Sequence, residues 1–158
     1  MKIIGVGSPF GDDRLGWVVA ERLQSAALLV NGDEQVSILS LDRPGPSIIS
    51  HWRDADTVIV IDAVRSGARP GTVHWLDARA IDSGPGSTSS HGFGIAAAID
   101  LAKTLGQLPQ QVYLCGVEID ATYTGEGLSP AVSEAIPLLL ERIEALARRP
   151  VSHPANAT

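Results

Sequence analysis

Thr57-Val58-Ile59-Val60-Ile61, followed at once by Asp62-Ala63, sets the architecture of this chain. A run of β-branched residues with no alternation of polar side chains has no solvent face. It reads as a strand covered on both sides, as the inner strands of a parallel sheet are. The acid that closes it is costly there, because an unpaired carboxylate at the end of a buried strand loses its hydration without compensation. Asp62 therefore needs a partner.

Toward the N-terminus, residues 2–6 form a second apolar run, ended by the glycine-rich segment Gly5-Val6-Gly7-Ser8-Pro9-Phe10-Gly11-Asp12-Asp13. From Asp13 to about Leu29, the residues Leu15, Val18, Val19, Leu23 and Ala26 recur at helical spacing. Residues 36–41 read as the next strand and residues 46–52 as a short helix. Beyond Asp62, residues 72–76 follow after only a Gly- and Pro-bearing turn, too short for a parallel crossover of a dozen or more residues. That strand is expected to run antiparallel, at an edge. Residues 91–105 carry Ile95, Ala98, Ile99 and Ala102 on one face, with Ser89 or Ser90 as N-cap and Gly106 at the stop. Residues 111–117 make the last strand and residues 129–148 the last helix, in which Pro130 suits the first turn and Pro137 is expected to kink or break the helix.

The order β-α-β-α-β-β-α-β-α predicts a three-layer α/β/α fold: a mostly parallel five-stranded sheet with one antiparallel strand and helices on both faces. At 158 residues the chain has the length of one domain, assigned to residues 1–149, with residues 150–158 as a flexible tail. Apolar residues reach 44% while aromatics stay at 4%, so the core is aliphatic. A net charge of −6 without clustered Lys and Arg argues against nucleic acid. No run approaches the roughly 18 apolar residues of a membrane span. With one cysteine, Cys115, and no secretory leader in evidence, the expected address is the cytoplasm.

In such a sheet, sites gather at the carboxyl ends of the strands. Asp12 and Asp13 lie after the first strand, Asp62 closes the third, and His91 opens a helix. Two carboxylates and an imidazole suit a divalent metal such as nickel or zinc and leave coordination positions for water or substrate. The plainer reading of Asp12 and Asp13 is as capping acids at the positive end of a helix, and one can cap while the other binds. His91 can likewise cap its helix. His51, His74 and His153 fall on a surface helix, an edge strand and the tail, where ordinary surface histidines are expected.

Two further readings compete. Gly5, Gly7 and Gly11 loosely echo a dinucleotide-binding turn, with Asp42 near the end of the second strand as the ribose acid; but Phe10 holds the third glycine position, and Asp12 and Asp13 would repel a pyrophosphate. Cys115 could serve as a nucleophile, although its setting in Val112-Tyr113-Leu114-Cys115 suits a buried small hydrophobe better. Neither a G-x-S-x-G nor an H-E-x-x-H motif occurs.

Taken in order, Gly5-Val6-Gly7-Ser8-Pro9-Phe10-Gly11-Asp12-Asp13 with Gly16, Val58-Ile59-Val60-Ile61-Asp62-Ala63 with Pro70-Gly71-Thr72, Ser90-His91-Gly92 and Gly116-Val117 resemble the hydrogenase maturation proteases. The resemblance runs from about residue 3 to residue 145. It implies the same three-layer fold and an endopeptidase, often classed as aspartic-type, that removes a C-terminal extension from the large-subunit precursor of a nickel-iron hydrogenase after nickel insertion. It also implies that Asp13, Asp62 and His91 form the site and hold nickel, which the precursor is expected to supply. Two departures stand out. The first loop is one residue shorter than usual, with Ser8 where Asn is common, and Ser40-Leu41-Asp42-Arg43-Pro44-Gly45 replaces an Asp-Gly-Gly-Thr stretch after the second strand. A non-catalytic module that binds nickel or the precursor, and the dinucleotide enzyme, are the alternatives.

Overall fold

The computed structural model describes residues 1–26, 36–80 and 94–148. The expected tail, the serine-rich loop at residues 83–90, His153 and His91 itself lie outside the described residues.

Among the described residues, five strands form one sheet in the order β2-β1-β3-β5-β4, where β1 is Lys2–Gly7, β2 Ser37–Asp42, β3 Thr57–Val64, β4 Val73–Asp77 and β5 Gln111–Glu118. All neighbours pair in parallel except β4, which runs antiparallel to β5 at the edge, as the short link before it requires. The strand β3 is buried along its whole length and is longer than expected. Asp62 therefore lies inside the strand, opposite Gly116 of β5, rather than closing it.

Side-chain alternation divides the core in two. Ile3, Ile59, Ile61, Cys115 and Val117 face α1 (Leu15–Ser25) and α4 (Pro130–Ala147); Ile4, Val58, Val60, Val112 and Leu114 face α2 (Ile48–His51) and α3 (Ala96–Thr104). Each fully buried Ile, Val or Leu contributes about 1.5–3 kcal/mol over an exposed one, so the layers are held by aliphatic burial on both faces. The predicted three-layer arrangement is the observed one.

Two helix expectations need correction. Residues 91–105 do not form one continuous helix: α3 begins at Ala96, because Gly94 and Ile95 form a turn before it. Pro137 does not break the last helix, and α4 runs unbroken from Pro130 to Ala147. The proline ring faces solvent, while Val132, Ala135, Ile136, Leu139, Ile143 and Leu146 keep the buried stripe on both sides of it. Packing of that stripe outweighs one lost backbone hydrogen bond.

The chain leaves β1 for β2 on one side and comes back for β3 on the other. The carboxyl ends of β1 and β3 therefore flank a topological switch point, where open α/β sheets form their crevices. Helix α1 crosses β1 at backbone contact, since a Cβ on Gly16 would lie 2.0 Å from the Val6 carbonyl oxygen. This close crossing draws the loop after β1, with its 3₁₀ turn Gly11–Arg14, over the end of the sheet.

Candidate active site

A cavity of about 470 Å³ opens at this switch point. Its walls include Gly7 at the end of β1, Ser8 just after it, Asp13 from the 3₁₀ turn, Asp62 and Ala63 of β3, Arg43 after β2, and Gly94 before α3. Asp13 and Asp62, far apart in the chain, thus border one space. His91 falls outside the described residues, a little ahead of Gly94 in the chain.

Asp62 is only 9% exposed. Its Oδ1 accepts the Ala63 N–H at 2.8 Å, and the Gly94 N–H also donates to the carboxylate. Burial pushes its pKa up from 3.8 to about 7 against these two hydrogen bonds, and the neighbouring Asp13 charge pushes the same way. The partner that the sequence demanded is thus backbone, and it is incomplete compensation. A carboxylate so placed gains most from an arriving cation.

Asp12 and Asp13 divide the roles that the sequence left open. Asp12 is buried at 4% exposure, and its Oδ1 accepts the backbone N–H of Ser129 at 2.6 Å, tying the 3₁₀ turn to the N-cap of α4. The Ser129 hydroxyl in turn accepts from the Val132 N–H. Asp13 faces the cavity, with Oδ1 held by Arg65 Nη2 at 3.0 Å. The acid that anchors the turn is therefore the one beside the acid that lines the cavity.

Among the described residues no group of three or more His, Cys, Asp or Glu side chains is placed to hold a metal ion, so Asp13 and Asp62 offer an incomplete set of carboxylate donors. Asp13 and Asp62 supply oxygens from different elements to an open space, and nothing in their geometry closes it as a four-ligand structural cage would.

Sequence reasoning missed three residues here. Arg43, with φ +41, lines the cavity and engages exposed Asp42 at 2.6 Å, so Asp42 serves its neighbour and holds no position in the cavity wall. Arg65 directly follows β3, and a cation so soon after a buried acid was the available signal. Glu118, at the end of β5, is 2% exposed and accepts from Ser66 N–H, Ser66 Oγ and Gly67 N–H at 2.7–2.9 Å, while His74 Nε2 lies 2.8 Å away. Burial alone would raise its pKa, but the hydrogen bonds, led by the Ser66 hydroxyl, hold it below the usual range. His74 is accordingly not an ordinary surface histidine: antiparallel pairing sets it opposite Gly116, beside the Glu118 carboxylate.

The rival chemistries fare poorly on the same geometry. Cys115 is fully buried, its thiol donates to the Val60 carbonyl, and burial raises its pKa far above the ordinary thiol value. A Cβ on Gly7 would approach the Asp13 carbonyl oxygen to 2.6 Å, so this glycine serves the packing of the loop and needs no pyrophosphate to explain it.

Residues 18–146 match the family model described as hydrogenase maturation protease. The chain belongs to the hydrogenase maturation protease family. Among curated relatives of this family member, it is 28% identical over 143 residues to the hydrogenase expression/formation protein HupD of Thiocapsa roseopersicina, covering 88% of this chain and 63% of that one. It is 26% identical over 149 residues to the hydrogenase 2 maturation protease of Escherichia coli, covering 92% of this chain and 89% of the relative. The [NiFe] hydrogenase maturation protease HycI of Thermococcus kodakarensis superposes with a TM-score of 0.65 at 25% identity, covering 94% of this chain and 92% of that structure. The chain spans about three-fifths of the length of HupD and of another curated relative, 63% and 57% respectively. Among the described residues, no helix is long and apolar enough to cross a membrane.

Proposed function

We propose that this chain is an endopeptidase that removes the C-terminal extension of a nickel-iron hydrogenase large-subunit precursor once nickel is in place. The observation that carries this reading is the convergence of Asp13 and Asp62 on one open cavity at the switch point, in a member of the maturation protease family. Nickel arrives as part of the substrate, held by the precursor's own thiolates. Asp13, Asp62 and His91 complete its coordination, which docks the precursor and sets the scissile peptide against the protease. Hydrolysis then cleaves that bond and releases the extension. On this reading the aspartates act as metal ligands rather than as an acid–base pair of the aspartic-protease type. The place of action is the cytoplasm, in keeping with a single buried cysteine that makes no disulfide.

An open, incomplete ligand set binds free metal modestly, whereas a docked precursor raises the effective concentration of its own nickel at the site. Metal-free protease should therefore shorten a nickel-loaded precursor and leave the nickel-free one intact, as read by the mass of the large subunit. Processing of nickel-free precursor by zinc-loaded enzyme alone would replace the docking reading with a resident catalytic metal. Stoichiometric capture of the precursor without loss of mass would identify a non-catalytic binding module instead.

A further inference from the structure

One ion pair, Asp13 with Arg65, borders both the switch-point cavity and a second one. The second cavity, about 420 Å³, is bordered by Phe10, Asp12, Asp120, Tyr123 and Glu126, and both Asp13 and Arg65 line it as well as the first. Arg65 therefore borders both spaces with its guanidinium on Asp13, and the second space carries Asp120 and Glu126 as further acids.

The root and the tip of this arginine are held very differently. Directly after it, Ser66 N–H, Ser66 Oγ and Gly67 N–H all donate to the buried Glu118 carboxylate, itself supported by His74. The backbone that presents Arg65 is pinned. At the tip, the pair with Asp13 is exposed on both sides, with side-chain exposures of 58% and 39%. Exposed pairs of this kind add little stability and exchange easily with solvent ions. A firmly rooted guanidinium with a weak terminal contact is suited to leave and return to one place.

We propose that Arg65 is a displaceable counter-cation: it occupies Asp13 in the metal-free protein, disfavours capture of free divalent metal there, and swings toward the second cavity when a precursor-borne metal takes its place. This rests on the reading of Asp13 and Asp62 as the nickel-facing acids. A metal at Asp13 must compete with the guanidinium for the same carboxylate, and repulsion between the two cations disfavours their joint occupancy. The carboxylates of Asp120 and Glu126 border the space into which the released side chain turns. Free metal lacks the additional contacts of a docked precursor and meets this competition in full. Arg65 thus sharpens the preference for metal presented by the substrate, acting as a specificity residue.

Titration calorimetry with nickel ion alone, on the metal-free full chain, tests this through binding rather than turnover. Replacing Arg65 by Gln should tighten nickel binding by about two- to fivefold at low salt, with the gain shrinking as ionic strength rises. Arg65→Lys should stay near wild type. In the double variant with Asp13→Asn most of the Arg65→Gln gain should be lost, because the guanidinium is bonded to that carboxylate and reaches Asp62 only through space. Unchanged or weaker nickel binding by Arg65→Gln, while Asp13→Asn alone still weakens it, would overturn the counter-cation role and leave the site reading standing. The counter-cation role falls equally if Arg65→Gln raises only the KM for the precursor. Identical nickel binding by wild type, Asp13→Asn and Asp62→Asn would instead remove the site reading itself.

Discussion

Asp62 and Glu118 occupy the same end of neighbouring, paired strands, and both are nearly out of solvent at 9% and 2% exposure. Their chemistry is nonetheless opposite. Glu118 gathers three donors from the Ser66–Gly67 turn and a fourth contact from His74, and its pKa falls below the usual range despite burial. Asp62 has two backbone donors and a like charge nearby, and its pKa rises to about 7. Burial alone therefore does not say what a carboxylate is for. Stronger desolvation and fewer donors together separate Asp62, still able to accept a cation, from the carboxylate that builds the loop.

The largest effect expected from this contrast is at Asp62. A pKa raised from 3.8 to about 7 means that the folded state holds a proton the unfolded state has lost. Stability from this group is full below about 3.8 and is lost as pH rises through about 7, a loss of roughly 4 kcal/mol. Asp62→Asn should therefore be more stable than wild type by up to that amount at pH 8, with the difference gone near pH 4. Denaturant unfolding across this range measures it, and an Asn variant destabilised at pH 8 would erase the distinction between the two acids.

Glu118→Gln should behave in the reverse sense. Its lowered pKa contributes stability that is present above the unfolded value of 4.5 and lost as pH falls through the folded one. Near pH 7 the amide replaces an ionised acceptor with a group that turns N–H toward N–H, at a cost of roughly 3 kcal/mol. Urea midpoints at pH 7 and pH 3 should show the deficit narrowing in acid. Asp12→Ala removes the acceptor of the buried Ser129 N–H and should cost roughly 2 kcal/mol through the start of α4. A thermal shift confined to noise would deny Asp12 its anchoring role. Smallest is Cys115→Ala, expected to cost about 1 kcal/mol in packing with processing of the precursor unchanged. A folded but inactive Cys115→Ala protein would restore the thiol mechanism.

The same two acids mark what was legible in the sequence. Residues 57–61 have one hydrophobic reading, and the short link through Pro70 and Gly71 allows one strand direction, so the sheet and its antiparallel edge follow from local pattern. Asp62 announced itself because a polar residue after such a run is expensive. Glu118 did not, since it ends a strand whose partners, Ser66 and His74, come from a turn and an edge strand that meet only in three dimensions. Arg65 offered only its place soon after a buried acid, since its partner Asp13 lies 52 positions away. Pro137 misled because helix propensity is local, while the stripe that carries α4 through it is a property of the packed core. Residue pattern alone left Asp12 and Asp13 equivalent; the resemblance pointed to Asp13, and the position of Ser129 shows what Asp12 does instead.

The part that Asp62 plays in the reaction can be read by setting wild type, Asp62→Asn and Cys115→Ala side by side on a nickel-loaded large-subunit precursor and following the mass of the product over time. One shortened product is expected, formed at matching rates by wild type and Cys115→Ala and undetectable with the folded Asp62→Asn protein. A wild-type rate of shortening by Asp62→Asn would contradict this, because the carboxylate at the switch point would then have no part in the reaction.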